Sequence, residues 1–169
     1  MAVMDEWVER VDEHDRVQEL VTRDEAVRNG WLHRVASCVC RDERGRFLVH
    51  RRSEHVSRFP GRFEAMIGGA VEPGETYGQA AVRELGEELG VQVPVHFLHT
   101  FLNRSGISPH WLGLHEAEVP AIINPATREI DWYGWLTEPE LRQALGRWHF
   151  TPDSQVTLDR YFAHRPGAV

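Results

Sequence analysis

The 169-residue chain contains no lysine: all 19 of its basic residues are arginine. That excludes Schiff-base catalysis and the lysine of a phosphate-binding P-loop. A basic excess is missing as well. The formal net charge is −7, so the phosphate-neutralising term behind nonspecific nucleic-acid binding is absent and no nucleic-acid polymer is expected as a partner. Only two cysteines occur, Cys38 and Cys40. Two residues apart on a strand they face the same side, where a disulfide between them would be strained. Two thiols alone make a poor zinc site, so buried, reduced cysteines are expected. Long apolar runs are also lacking. The longest stretch free of Asp, Glu, Lys and Arg, Leu89 to Asn103, is shorter than the ~20 residues of a membrane span. Asp5, Glu6, Glu9 and Arg10 stand where a signal peptide would be basic and then apolar. A soluble, cytoplasmic protein with no membrane partner is expected.

What is present reads as one domain over residues 1–169. The chain is 41% hydrophobic and 27% charged, too apolar for disorder, and a domain of this size needs no staples. Glu6–Val11 and Arg16–Thr22 read as two short strands around the turn Asp12–Asp15. A short helix follows, with Thr22 and Glu25 at capping-box spacing and Asn29-Gly30 at its end. Arg34–Arg41 and Phe47–Arg52 read as a hairpin. After the loop Ser53–Arg62 come the apolar run Ala65–Ile67 and then Gly68-Gly69. A helix is expected from Thr76 to Leu89, stopped by Gly90. Strands are expected at Val91–Leu102, Trp111–Val119 and Ile130–Leu136. Two helices follow, Glu138–Leu145 and Pro152 to about Phe162, the second capped by Thr151. Residues 1–30 form an N-terminal hairpin and helix extension, and the fold class is α/β (α+β), a sandwich around a mixed sheet.

The chemistry is concentrated in Gly69–Val91, GAVEPGETYGQAAVRELGEELGV. Val82, Leu85 and Leu89 make one apolar stripe, while Glu84, Glu87 and Glu88 fall at i, i+3 and i+4 on another face. Like charges at that spacing destabilise a bare helix by some tenths of a kcal/mol each. Gly86 costs about another 1 kcal/mol relative to alanine. A solvated acidic face relieved by Arg83 is the bland explanation. Against it stand Gly68-Gly69, a six-residue loop, and Glu75 just ahead of the cap. Carboxylates facing a glycine loop suit a hard, oxygen-loving cation such as Mg²⁺.

Gly69, Glu75, Arg83-Glu84-Leu85, Glu87-Glu88 and Gly90-Val91 match the Nudix box at all its specified positions, so residues 69–91 closely resemble that family's signature. The resemblance implies an α/β/α sandwich and hydrolysis of a diphosphate bond in a nucleoside diphosphate linked to another group. It implies that Glu84, Glu87 and Glu88 hold Mg²⁺, or Mn²⁺ in its place, with the Gly69 carbonyl as a further ligand. Glu75 and Arg83 would then be a supporting ion pair. Two such cations can polarise the phosphoryl group, activate a water and stabilise the leaving oxygen.

Outside the box, Asp12–Val17, Leu32-His33-Arg34, Arg51-Arg52-Ser53, Phe59-Pro60-Gly61 and Phe150–Asp153 resemble the branch that contains isopentenyl-diphosphate isomerases. Aligned from Arg52, however, the isomerase cysteine falls on Gly68, and two of its three metal histidines fall on Ala26 and Ala70, leaving only His33. A lysine of that pattern falls on Val56. An isomerase-like hydrolase is expected instead. Glu129 matches a catalytic carboxylate of the branch, as general base or additional ligand, though a surface glutamate opening a strand reads equally well. Arg52 matches a diphosphate-contacting position and is preferred over Arg51, because strand neighbours face opposite ways. Trp132, Tyr133 and Trp135 read as core. The expected partner is a small diphosphate substrate, and a homodimer is compatible with the sequence. A nucleotide-sensing Nudix domain without turnover is the alternative from another class, with the isomerase behind it.

Overall fold

The computed structural model describes residues 4–165; residues 1–3 and 166–169 of the expected domain lie outside the described residues. The chain opens with an antiparallel hairpin, β1 (Trp7–Val11) and β2 (Val17–Thr22), followed by α1 (Arg23–Asn29). Thr22 and Glu25 close a reciprocal capping box, and Gly30 at φ 66° ends the helix in the left-handed conformation that glycine adopts without a Cβ penalty. Next come β3 (Arg34–Arg41), β4 (Phe47–Arg52), β5 (Phe63–Glu64) and β6 (Ile67–Ala70). Helix α2 (Tyr77–Leu89) is followed by β7 (His96–Asn103), β8 (His110–Glu118), β9 (Ile130–Leu136), α3 (Glu138–Leu145) and α4 (Pro152–His164).

A mixed sheet of seven strands runs β5-β4-β3-β8-β7, with β6 also against β3 and β9 also against β4. Strand β3 is its axis, parallel to β8 from Arg34↔Trp111 to Arg41↔Glu118. Alternation along β3 builds the two cores. Cys38 and Cys40 face α2 with Leu48, Ile67, Leu85 and Leu89. Val39 faces the other way, with Phe47, Val49 and Leu114, onto Leu141 of α3 and Leu158 and Tyr161 of α4. The helices therefore sandwich the sheet. Both cysteines are free and buried, as expected.

Three expectations need correction. The hairpin of β3 and β4 is paired only at Arg41↔Phe47. Beyond that point the strands splay, β3 taking β6 and β4 taking β9. The expected strand Val91–Leu102 begins only at His96. The Val91 N–H instead closes the end of α2 on the Leu85 carbonyl at 3.4 Å, and Pro94 has no N–H to give a ladder. Thr151 stands at the start of α4 but does not cap it with its side chain. Its hydroxyl bonds the Ser154 hydroxyl at 3.0 Å, and its backbone N–H bonds the Phe63 carbonyl at 2.9 Å.

Candidate active site

The splaying of β3 from β4 opens a cleft of about 1080 Å³. Gly68, Gly69, Glu84, Glu87, Glu88, Glu129 and Arg52 all line it. Helix α2 supplies the carboxylates because both of its ends are closed. Thr76 accepts the Gln79 N–H while the Gln79 side chain accepts the Thr76 N–H, and Gly90 at φ 68° returns its own N–H to Gly86. The C-terminal carbonyls of α2 also recruit the loop that carries Glu129. Asn124 N–H bonds the Leu89 carbonyl at 3.2 Å and Ala126 N–H bonds the Glu88 carbonyl at 2.8 Å. Ser53 N–H then holds the Glu129 carbonyl at 2.8 Å. A glutamate distant in sequence thus reaches the box.

Close backbone approach explains both glycines. A Cβ on Gly68 would fall onto the Ala36 carbonyl oxygen and lie 2.9 Å from the Ser37 Cα. On Gly69 it would overlap the Glu84 carboxylate, 2.8 Å from its Cδ. Glu84 therefore lies over bare backbone at Gly69.

Arg83 organises the rest. Its Nε and Nη2 each donate to a Glu75 oxygen at 2.9 Å, a two-pronged ion pair, and Nη2 also reaches the Ala70 carbonyl at 3.1 Å. Nη1 lies 3.0 Å from Glu84 Oε1 and 3.3 Å from Glu87 Oε2. The guanidinium thus draws two carboxylates to itself. Among the described residues no three His, Cys, Asp or Glu side chains are gathered as a finished coordination sphere. Glu87 is 60% exposed and points to solvent.

The residues nonetheless fit a divalent cation. Glu88 Oε2 is sealed from solvent and has no hydrogen-bond partner among the described residues. Burial pushes the Glu88 carboxyl well above the usual range, and Glu84, Glu64 and Glu129 push it the same way against the Gly68 backbone. Glu84 is raised by burial and by Glu87, against the pull of Arg83. A crowd of carboxylates with an orphaned buried oxygen lacks positive charge at that spot, and a hard cation supplies it.

The two candidate arginines part company at a bulge. The β4–β9 register slips between Arg51 and Arg52, so that Arg51 faces Trp132 while Arg52 faces Ile130. Arg51 is 42% exposed and pairs with Asp131 at 2.7 Å, outside the cleft. Arg52 turns inward, its Nε on the Arg58 carbonyl at 2.9 Å and its Nη1 3.3 Å from Glu64. Sequence reasoning missed Arg23, Arg58 and Glu64. Arg23 and Arg58 line the cleft from α1 and from the loop after β4, and Glu64 stands beside them on a two-residue strand. None is at a spacing tied to the box, so no periodicity marked them.

The positions matching the isomerase pattern are structurally filled. Ala26 and Ala70 pack together with Val8 and Val21 in a small core between the hairpin and the sheet. Gly68 has no room for a side chain on this backbone. His33, the remaining histidine, is 2% exposed, and burial lowers it to about 3, with Arg23, His110 and Arg58 adding to the effect. Trp135 and Tyr133 pack on the α2 core, as expected. Trp132 instead lies on the opposite face, edge-on to Phe63 and Trp148, and covers Gly134.

Comparison with known proteins agrees with this arrangement. The family profile of the NUDIX domain matches residues 31–155. The uncharacterized Nudix hydrolase SCO1686 of Streptomyces coelicolor is 38% identical, with 100% of this chain and 97% of that protein covered. The uncharacterized Nudix hydrolase YfcD of Escherichia coli K12 is 31% identical over 90% of this chain and 84% of its own length. Among solved structures, DR0079 from Deinococcus radiodurans superposes with a TM-score of 0.79 at 28% identity, covering 92% of this chain and 99% of that one. The MutT protein from Methanosarcina mazei Go1 superposes at 0.63 with 22% identity over 76% of this chain and 91% of that one, a likeness of fold alone. Among the described residues no helix is long and apolar enough to cross a membrane.

Proposed function

The chain belongs to the Nudix hydrolase family, and on that premise we propose that it is a divalent-metal-dependent diphosphohydrolase acting on a small nucleotide or nucleoside-diphosphate derivative. The observation that carries the metal dependence is Glu88 Oε2, buried without a partner among other carboxylates at the floor of an open cleft. Glu84, Glu87 and Glu88, with the Gly69 carbonyl, would hold Mg²⁺, with Mn²⁺ able to replace it. Bound there, the cation supplies Lewis-acid polarisation of the phosphoryl group and a water of lowered pKa.

The chain's own residues do the remaining work. Arg83, gripped by Glu75, fixes the loop after Gly69 on α2 and keeps Glu84 over bare backbone. Arg52 lines the same cleft, with Nη2 free of protein partners among the described residues. It offers its planar fork to the diphosphate. Glu129 lines the same cleft, where its carboxylate would either accept the proton of the attacking water or add a ligand to the metal. Arg23, Arg52 and Arg58, which line the cleft, would let a protein of charge −7 take an anionic substrate locally.

The test is phosphate release with Mg²⁺ or Mn²⁺ from nucleoside di- and triphosphates, nucleotide sugars and dinucleoside polyphosphates. Release from one class, reduced about 100-fold or more by Glu88→Gln, is the expected result. Release that survives Glu88→Gln would sink the metal assignment. Tight nucleotide binding without release under any divalent cation would identify a sensor instead. Glu129→Gln separates the roles left to Glu129: a lost proton acceptor lowers kcat, whereas a lost ligand raises the metal requirement.

A further inference from the structure

Behind the cleft lies a second, smaller cavity of about 150 Å³, reached past Arg23, Arg52, Arg58 and Gly68-Gly69, which line both spaces. Its depth is set by β3, β8 and α4. Val35 and Leu112 give it apolar walls, and His33, His110 and Thr157 give it polar ones. Three of its lining residues, Arg23 at Nε, His33 at Nδ1 and Thr157 at Oγ1, carry buried polar atoms with no hydrogen-bond partner among the described residues. His33 and Thr157 are themselves almost completely buried. Orphaned polar atoms are costly inside a protein unless something supplies their bonds. Finding three around one cavity beside the reaction cleft points to a ligand group that does so.

We propose that this cavity is the subsite for one end of the substrate, an uncharged, hydroxyl-bearing group of about benzene or glycerol size joined to the diphosphate in the cleft. The proposal rests on the diphosphohydrolase reading and narrows its substrate class. A cavity of this volume admits benzene but not a nucleoside, so the nucleoside lies in the larger, open cleft. Arg23 and Arg58 stand where the two spaces meet, and their charges fall to the diphosphate. Deeper in, the imidazole of His33 is neutral and the hydroxyl of Thr157 is neutral by nature, so each can donate or accept a hydrogen bond without selecting for charge. Asp153 also lines the cavity, but its Oδ1 already accepts from the Ser105 hydroxyl at 2.7 Å and Asn103 Nδ2 at 3.3 Å.

The experiment compares pairs that differ only in the small group. Binding of CDP against CDP-glycerol, and of ADP against ADP-glycerol, is measured by calorimetry on the full chain with Ca²⁺ replacing Mg²⁺. The glycerol derivative is expected to bind about tenfold tighter in at least one pair. Thr157→Val should reduce that preference to within about twofold and leave the affinity for the parent nucleoside diphosphate unchanged. Val35→Leu, which fills the cavity without removing a polar atom, should do the same and serves if Thr157→Val melts early. Equal binding within both pairs in the wild type would show a cavity that holds water only and would overturn the proposal. So would a preference that survives both substitutions. Failure of all four compounds to bind would overturn the diphosphate reading and the subsite together, an outcome distinct from equal binding.

Discussion

Removing the negative charge of Glu75 tests whether the Arg83 ion pair serves the metal site or merely the loop. Both Glu75 oxygens take a guanidinium N–H at 2.9 Å, and Oε1 also takes the Glu72 N–H at 2.8 Å. The side chains are only 22% and 17% exposed, so solvent screens the pair incompletely, and Arg83 in turn holds Glu75 below the usual carboxylate range. Hydrogen bonds to charged groups contribute about 1.5–3 kcal/mol each. Glu75→Gln keeps one acceptor and loses the charge, so about 1.5–3 kcal/mol of stability should go, a fall of roughly 3–10 °C in the metal-free melt. The larger consequence concerns charge. Nη1 of Arg83 already touches Glu84 and Glu87. Without Glu75, its full charge turns to those two carboxylates and competes with the cation. Loss of such an outer partner typically costs about 10–100-fold in metal affinity. The assay is activity against Mg²⁺ concentration. The half-activating concentration should rise about tenfold or more, with kcat at saturating Mg²⁺ within about threefold of wild type, and Glu75→Asp should recover part of the loss. A lower melting temperature with an unchanged Mg²⁺ requirement would refute the reasoning and leave Glu75 a loop brace.

Gly68→Ala should cost about 3 kcal/mol or more in urea unfolding, because its Cβ meets backbone on β3 rather than a side chain that could turn away; wild-type stability would show that β3 and β6 separate more easily than their ladder suggests. Arg52→Ala should raise KM about tenfold or more, the value of one charged hydrogen bond, while Arg51→Ala stays within about twofold; equal effects would contradict the bulge. His33 carries a pH signature. Buried against Arg23, His110 and Arg58 and beside the Trp31 backbone, it is held down to about 3 in the folded protein, against about 6.5 when unfolded. Between those values the unfolded chain binds one more proton, so stability rises with pH and is lost as pH falls from about 6.5 towards 3. At one proton this amounts to about 2 kcal/mol between pH 6.5 and 5. His33→Asn should flatten the melting-temperature profile over that range, and an unchanged slope would mean that His33 is already charged in the native state.

Much of this was legible where local chemistry decides. The capping boxes built on Thr22 and Thr76 and the left-handed glycines at 30 and 90 sit at the helix ends that spacing marks. The box carboxylates were legible for the same reason, since all lie on one helix. What stayed hidden depends on contacts distant in the chain. Whether Phe47–Arg52 pairs with Arg34–Arg41 is settled by competition from β6 and β9, strands that no local pattern ties to β3 or β4. That Arg52 rather than Arg51 turns inward was expected from strand alternation, but the bulge at Asp131 that fixes their register lies on another strand.

The N-terminal hairpin shows the limit most clearly. Its sequence marks two strands and a capped helix but gives no sign that they serve the cleft. In the structure, Asp15 at φ 59° holds Arg34 at 2.7 Å and the Tyr77 hydroxyl at 2.9 Å, pinning the hairpin turn to β3 and to the first turn of α2. Trp111 Nε1 holds the Asp12 carbonyl at 3.0 Å, and the Val11 N–H holds the Leu32 carbonyl at 2.9 Å. These contacts fix the start of α1, and with it Arg23, at the junction between the open cleft and the inner cavity. The extension is therefore a wall of the site, since without it the acidic box would face solvent with fewer arginines opposite. If the chain is the diphosphohydrolase proposed above, its substrate selection should depend on residues 4–30 and on α4 as much as on the box, since carboxylates alone do not distinguish one diphosphate from another.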